Sequence, residues 1–100
     1  MLPEKDRKSI IAFYKLTIII RALNEGWEPD WSNWDEWKYY NWFNVEKGGD
    51  QRSSGFRYYD THCTATGTST GSRLCFKNIE LAKYAAEQFK ELYREYLLIF

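Results

Sequence analysis

Apolar residues recur at helical spacing over residues 4–25. Ile10, Phe13, Tyr14, Thr17 and Arg21 fall on one side of a 3.6-residue repeat, while Ile11, Leu16, Ile18, Ile20 and Leu23 widen the apolar surface beyond a narrow stripe. A helix patterned in this way is covered on more than one side. Its β-branched run, Ile18, Ile19 and Ile20, lowers helix propensity, so tertiary packing has to hold that half. Asn24, Glu25 and Gly26 end it, with Gly26 suited to the left-handed closing position. A second helix is predicted over residues 79–96. Asn78 is a good N-cap and Glu80 complements the first-turn dipole. Leu81, Ala85, Phe89, Leu92 and Tyr96 make its stripe, with Ala82, Ala86, Tyr93 and Leu97 beside it.

Between the helices the pattern changes to that of strands. Residues 37–45 and 56–64 are dense in β-branched and aromatic side chains, and residues 72–77 read as a third strand after a Gly/Thr/Ser turn at 67–71. Residues 47–55 read as a loop. The expected fold is therefore α+β, one domain over residues 1–100. Its order is an N-terminal helix, a three-stranded antiparallel meander and a C-terminal helix. Both helices lie on one sheet face, with Ile18, Phe76 and Phe89 in the core. Residues 27–37 precede the first strand; Pro29 bars a regular helix there, and Ser32 with Asp35 and Glu36 looks like a cap on a short turn. This Trp-rich segment reads either as a loop pinned by buried indoles or as the aromatic rim of a binding pocket, with Trp31 at the rim.

Composition sharpens the picture in one respect. Aromatics make up 19% of the chain, more than a core of 100 residues needs, so some are expected at the surface. Fourteen acidic residues balance fourteen basic ones, which disfavours binding to long nucleic acid or to an anionic membrane surface. No run is apolar enough to span a bilayer, no secretion signal is read at the start, and two cysteines suit a reducing cytoplasm.

Chemical motifs are sparse. His62, Cys63, Cys75 and Asp60 do not make a convincing metal set, because neighbours on a strand point to opposite faces. No Ser-His-Asp elbow, P-loop or dinucleotide fingerprint occurs, so neither an enzyme nor a cofactor is expected. The one enzymatic alternative is a minimal hydrolase using His62 with Asp60. The hydroxyl-rich turn at 67–72 could present N–H groups to a phosphate, but reads first as a soluble hairpin turn.

Strand parity carries the binding-site prediction. A hairpin centred on Ser69 sets Cys63 opposite Cys75, with Arg57, Tyr59, Thr61, Arg73 and Lys77 on the same face and Phe56, Tyr58, Leu74 and Phe76 on the core face. The first strand adds Lys38, Tyr40 and Trp42 to the outer set. The candidate ligand residues are thus Trp31, Lys38, Tyr40, Trp42, Arg57, Tyr59, Arg73 and Lys77. Cations interleaved with aromatics suit a ligand with a π-face and negative charge. The same set also suits mutual surface cation–π pairs or burial in a homo-oligomer.

Several stretches carry a resemblance: residues 22–33, then Lys38, Tyr39, Tyr40, Asn41, Trp42 and Phe43, and later residues 71–77 and 80–85 with Gln88, Phe89, Leu92 and Tyr93. Along nearly its whole length the chain resembles a family of small uncharacterised phage and prophage proteins of gut Bacteroidales, with Asn41 standing where that family often has Pro. The resemblance implies a phage accessory protein acting in the cytoplasm of a bacterial host. It carries over no catalytic residues. The expected function is non-enzymatic sequestration of a nucleotide-type immune signal, such as a cyclic nucleotide or ADP-ribose derivative, by a homodimer or higher oligomer. The alternative is a phage protein that binds a protein partner, as a host-factor inhibitor or virion component. Self-contact is expected through residues 27–37 or the tail at 96–100.

Overall fold

The computed structural model describes residues 2–45 and 56–98. The loop expected at 47–55 and the side chains of Phe56, Arg57 and Tyr59 lie outside the described residues, as do residues 99 and 100 of the expected tail contact. The fold is α+β: α1 (Glu4–Asn24), β1 (Lys38–Val45), β2 (Phe56–Thr64), a 3-10 turn (Ser72–Leu74), α2 (Ile79–Gln88) and α3 (Lys90–Leu97).

In α1, Glu4 and Asp6 lie in the first turn and Arg21 in the last, each on the favourable end of the helix dipole. The helix stops where Glu25 and Gly26 both adopt positive φ, 52° and 88°. Gly26 does so without strain; Glu25 must accept the left-handed well. In α2, Asn78 caps as its sequence position predicts, its side chain accepting a hydrogen bond from the Leu81 N–H at 2.9 Å.

The predicted single C-terminal helix is divided at Phe89, whose φ of −121° leaves the helical well. Phe89 is half-buried against the core, and the bend allows Ala82, Ala85 and Ala86 of α2 and Tyr93 of α3 all to be buried. Tyr93 packs its ring 4.8 Å from Phe43.

The described residues form a two-stranded antiparallel sheet, not three strands. The third predicted strand is a 3-10 turn followed by a short extended stretch. Turn bonds from Leu74 N–H to Gly71 O and from Cys75 N–H to Ser72 O occupy its backbone. One residue, Phe76, pairs with the sheet, exchanging both backbone bonds with Tyr39 at 3.2 and 2.7 Å. It therefore joins β1, on the edge away from β2, where a meander would have joined it to β2. On its other side the Asn24 amide takes the place of a neighbouring strand: it donates to Cys75 O at 3.0 Å and accepts from Lys77 N–H at 3.1 Å. This side chain satisfies two backbone groups that would otherwise be buried unpaired. Cys63 and Cys75 are consequently not opposed; both are free, Cys63 exposed and Cys75 buried, and burial pushes the Cys75 thiol up.

The core gathers Leu16 and Ile20 of α1, Leu74 and Phe76, Ala82 and Ala85 of α2, and Tyr93. The helices do not share one sheet face. α2 lies on the sheet, whereas α1 packs chiefly against α3 and the 3-10 turn. Ile18, expected in the core, points outward because the buried face of α1 runs through Ala12, Leu16 and Ile20.

Tyr93 makes the fold sensitive to alkali. Burial pushes its phenol up to about 12 from an ordinary value of 10, and the Asn41 amide donating to its oxygen only partly opposes this. The folded state thus holds the proton more tightly, so the contribution is intact below pH 10 and is lost as pH rises towards 12 and beyond. Over that window wild type should lose about 2–3 kcal/mol more than Tyr93→Phe. Urea midpoints of the two proteins between about pH 9 and 12 check this; parallel curves would contradict it.

Candidate functional site

The face predicted to bind ligand is dispersed, and a β-bulge begins the dispersal. Trp42 pairs with Asp60 but Phe43 pairs with Tyr58, which leaves residue 59 as the extra one. Parity reverses across the bulge. Asp60 and His62 share the outer face with Trp42 and Tyr40, while Thr61, expected outside, is buried. Its hydroxyl donates to Asn41 Oδ1 at 2.9 Å. Asn41 in turn donates to Ala82 O and Tyr93 Oη, tying the sheet to α2 and α3.

Tyr40 and Trp42 do lie on the outer face, on either side of His62. The Trp42 ring stacks on the imidazole at 5.1 Å, and Tyr40 approaches it at 5.8 Å.

Lys38 shares their parity yet is 0% exposed. The Trp-rich segment folds back over the start of β1 and covers it. The Lys38 ammonium lies 5.1 Å from the Trp31 ring centroid, donates to Asn33 O and Ala65 O at 3.0 and 2.9 Å, and sits 3.5 Å from the Glu36 carboxylate. Lys38 is thus a structural cation rather than a ligand contact.

Arg57 pairs with Asn44 in the backbone register. Arg73 and Lys77 leave the sheet altogether, because residues 72–77 do not form a third strand.

The same Glu36 organises the segment covering Lys38. Its carboxylate accepts from Trp27 Nε1 at 3.2 Å and from the Asp30 N–H at 2.7 Å. Asp30 accepts from the backbone and hydroxyl of Ser32, which holds its carboxyl below the usual range, and Asn33 accepts from the Asp35 N–H. Asp30 and Asn33 therefore build the turns expected of Ser32. Trp27 and Trp31 are half-buried and pin the loop, as one of the two sequence readings has it; Trp34 and Trp37 are exposed.

Closing this loop beside the C-terminal end of α1 creates a groove of about 450 Å³. Ile20 and Asn24 lie on α1 towards its buried side, with Thr17 a turn earlier. Trp27, Glu28 and Pro29 form one wall, and Ser72 and Arg73 of the 3-10 turn form another. Trp31 braces that second wall, its indole N–H donating to the Ser72 hydroxyl at 2.8 Å. Arg21 and Arg73 both line the groove and both are exposed. Among the described residues neither guanidinium has a salt bridge or a side-chain hydrogen bond, and Glu28 is the one acidic lining residue. Two guanidinium groups against one carboxylate, beside an indole, suit an anionic ligand with a planar part, and the volume is that of a small-molecule site.

No protein-family model, curated protein or solved structure matches this chain. The groove therefore stands on its own geometry. Of the residues named from sequence it contains Arg73 directly and Trp31 as a brace. Arg21, Trp27 and Ser72 were missed. Arg21 and Trp27 could have been linked, since both flank the end of one predicted helix; the arrival of Arg73 depends on the failed third strand. Among the described residues no group of three His, Cys, Asp or Glu side chains is placed to hold a metal ion, and no helix is long and apolar enough to cross a membrane.

Proposed function

We propose that this protein is a non-enzymatic, self-associating binding protein that sequesters a nucleotide-type ligand, a cyclic nucleotide or ADP-ribose derivative, in the groove between α1, the Trp27–Pro29 wall and the 3-10 turn. The observation that carries the reading is the pair Arg21 and Arg73, two guanidinium groups without a partner among the described residues, converging on one groove beside Trp27. In this reading the guanidinium groups clamp the phosphates by paired N–H donors, and the indole and Pro29 offer apolar faces to the base. Coupled with the phage-protein resemblance of the sequence, the role is counter-defence in a bacterial cytoplasm: holding a host signal without cutting it.

Thermal unfolding with a panel of cyclic dinucleotides, cyclic ADP-ribose isomers and ADP-ribose tests it. A ligand at one hundred times its Kd stabilises by about 2.7 kcal/mol, a rise in Tm on the order of 10 °C for a domain of this size. Arg21→Ala and Arg73→Ala should each weaken binding about tenfold or more, whereas Trp42→Ala, on the outer face, should not. If Trp42→Ala abolishes the shift and Arg73→Ala does not, the ligand sits on the sheet face and the groove assignment is wrong.

A second reading has its own observation. Trp34 is 74% exposed and Trp37 stands beside it in the same loop. Exposed indoles are frequent anchors at protein interfaces, so this tip suits a phage protein that presses on a host protein or a virion partner. No thermal shift across the panel, together with a stable complex lost in Trp34→Ala, would replace the first reading with the second.

A further inference from the structure

The face of α1 opposite the core has no partner among the described residues. Ile10, Ile11, Tyr14 and Ile18 are each roughly half exposed or more, Tyr14 at 63%. They are contiguous on the helix, since residues three, four and seven apart share a face. Ile11, Tyr14 and Ile18, together with the helix ends, fall on a seam, Glu4, Arg7, Ile11, Tyr14, Ile18, Arg21, whose spacings alternate three and four, with Ile10 beside it. That alternation is the heptad repeat of helices that pair along their length.

The seam is also self-complementary. A two-fold axis between residues 12 and 13 maps it onto itself in an antiparallel pair: Ile11 onto Tyr14, Arg7 onto Ile18 and Glu4 onto Arg21. The two apolar layers then meet at the centre, and each end closes with opposite charges. Arg21 has no ion pair among the described residues, and Glu4 is exposed with only the neighbouring Arg7 on it. A parallel pair would instead set Glu4 beside Glu4 and Arg21 beside Arg21. We infer that α1 is the dimerisation surface of this protein, and that its occupant is α1 of a second copy, packed antiparallel about that axis. An isologous contact of this kind closes on itself and stops at two copies. This differs from the contact through residues 27–37 or the tail expected from sequence.

A single helix pair, about 27 Å of seam at 1.5 Å per residue, lies at the small end of stable interfaces. The expected Kd is therefore on the order of micromolar. Sedimentation velocity over concentrations from about 1 to 500 µM should show a monomer passing to twice its mass and no further. Ile18→Lys, at a position already half exposed, sets a second cation against Arg7 of the other copy at both ends and should weaken the dimer about tenfold or more while leaving far-UV circular dichroism unchanged. Because Ile18 does not line the groove, the same variant should keep any ligand response, which separates this inference from the proposed function; Arg21 does line it, so in the dimer Glu4 of the second copy and a bound anion share that guanidinium, and the Arg21 variants report on dimerisation alone.

The charge swap tests the axis itself. Arg21→Glu alone sets two carboxylates against each other at both ends of the seam and should weaken the dimer. Adding Glu4→Arg to that variant should restore it, even though each substitution carries its own small helix-dipole cost. A protein that stays monomeric throughout, or a dimer indifferent to Ile18→Lys, would overturn the inference. A dimer weakened by both single charge changes but not restored by the swap would overturn the antiparallel arrangement.

Discussion

Lys38→Met should cost about 3–5 kcal/mol of folding stability, the range seen when one member of a buried, hydrogen-bonded charge pair is removed. Methionine approximates the volume, so the loss isolates the ammonium. That group is 0% exposed and supplies the donors for Asn33 O and Ala65 O, two carbonyls far apart in sequence. It also faces Glu36, which is itself mostly covered and holds Trp27 and Asp30 in place. Removing the ammonium leaves two carbonyls and a carboxylate short of a donor where water has little access. The double variant Lys38→Met with Glu36→Gln should recover part of the loss, because the uncompensated charge is then gone. Urea denaturation of the single and double variants checks both statements. A single-variant loss below about 1 kcal/mol would mean that the stem of Lys38 matters and its charge does not.

Phe76→Ala is the second large effect, at about 3–5 kcal/mol. Phe76 is fully buried in the cluster formed by Leu16, Ile20, Leu74, Ala82, Ala85 and Tyr93. The alanines around it are small and lie on a helix anchored from both ends, so the cavity cannot readily collapse. Phe76→Leu should cost markedly less, since much of the volume remains. Equal losses for the two variants would show that the ring does not fill the site as described. Backbone pairing with Tyr39 survives either change, so circular dichroism should retain its strand signal in both proteins at low denaturant.

The local elements were legible because their signals are local. The α1 boundaries, the Asn78 cap and the two long strands follow from period, cap chemistry and β-branched or aromatic density within a few residues. Three features were not legible, each for a physical reason. The third strand failed because Asn24, far away in sequence, supplies the hydrogen bonds a strand neighbour would have supplied. The outer face of β2 was misassigned after residue 59 because one bulge reverses parity, and nothing in residues 56–64 marks it. Lys38 was placed outside by correct parity, yet a loop of half-buried indoles covers it. The groove inherits this pattern. Arg73 was singled out as a cation near aromatics on a third strand; it lies near an indole in the groove instead, on the 3-10 turn.

The Asn24 latch has a consequence for the order in which the molecule assembles. Its two backbone partners lie 51 and 53 residues away along the chain, and Leu16 and Ile20 find Leu74, Phe76 and Tyr93 only across still longer stretches. β1 and β2, by contrast, are consecutive and pair without waiting for anything else. Loop closure over so many residues is slow compared with pairing of neighbouring strands. The apolar side chains of residues 4–24 therefore stay exposed until that closure occurs. Apolar surface exposed in that interval is open to other copies of the chain, so the protein concentration during refolding sets how often the latch closes within one molecule before two molecules entangle.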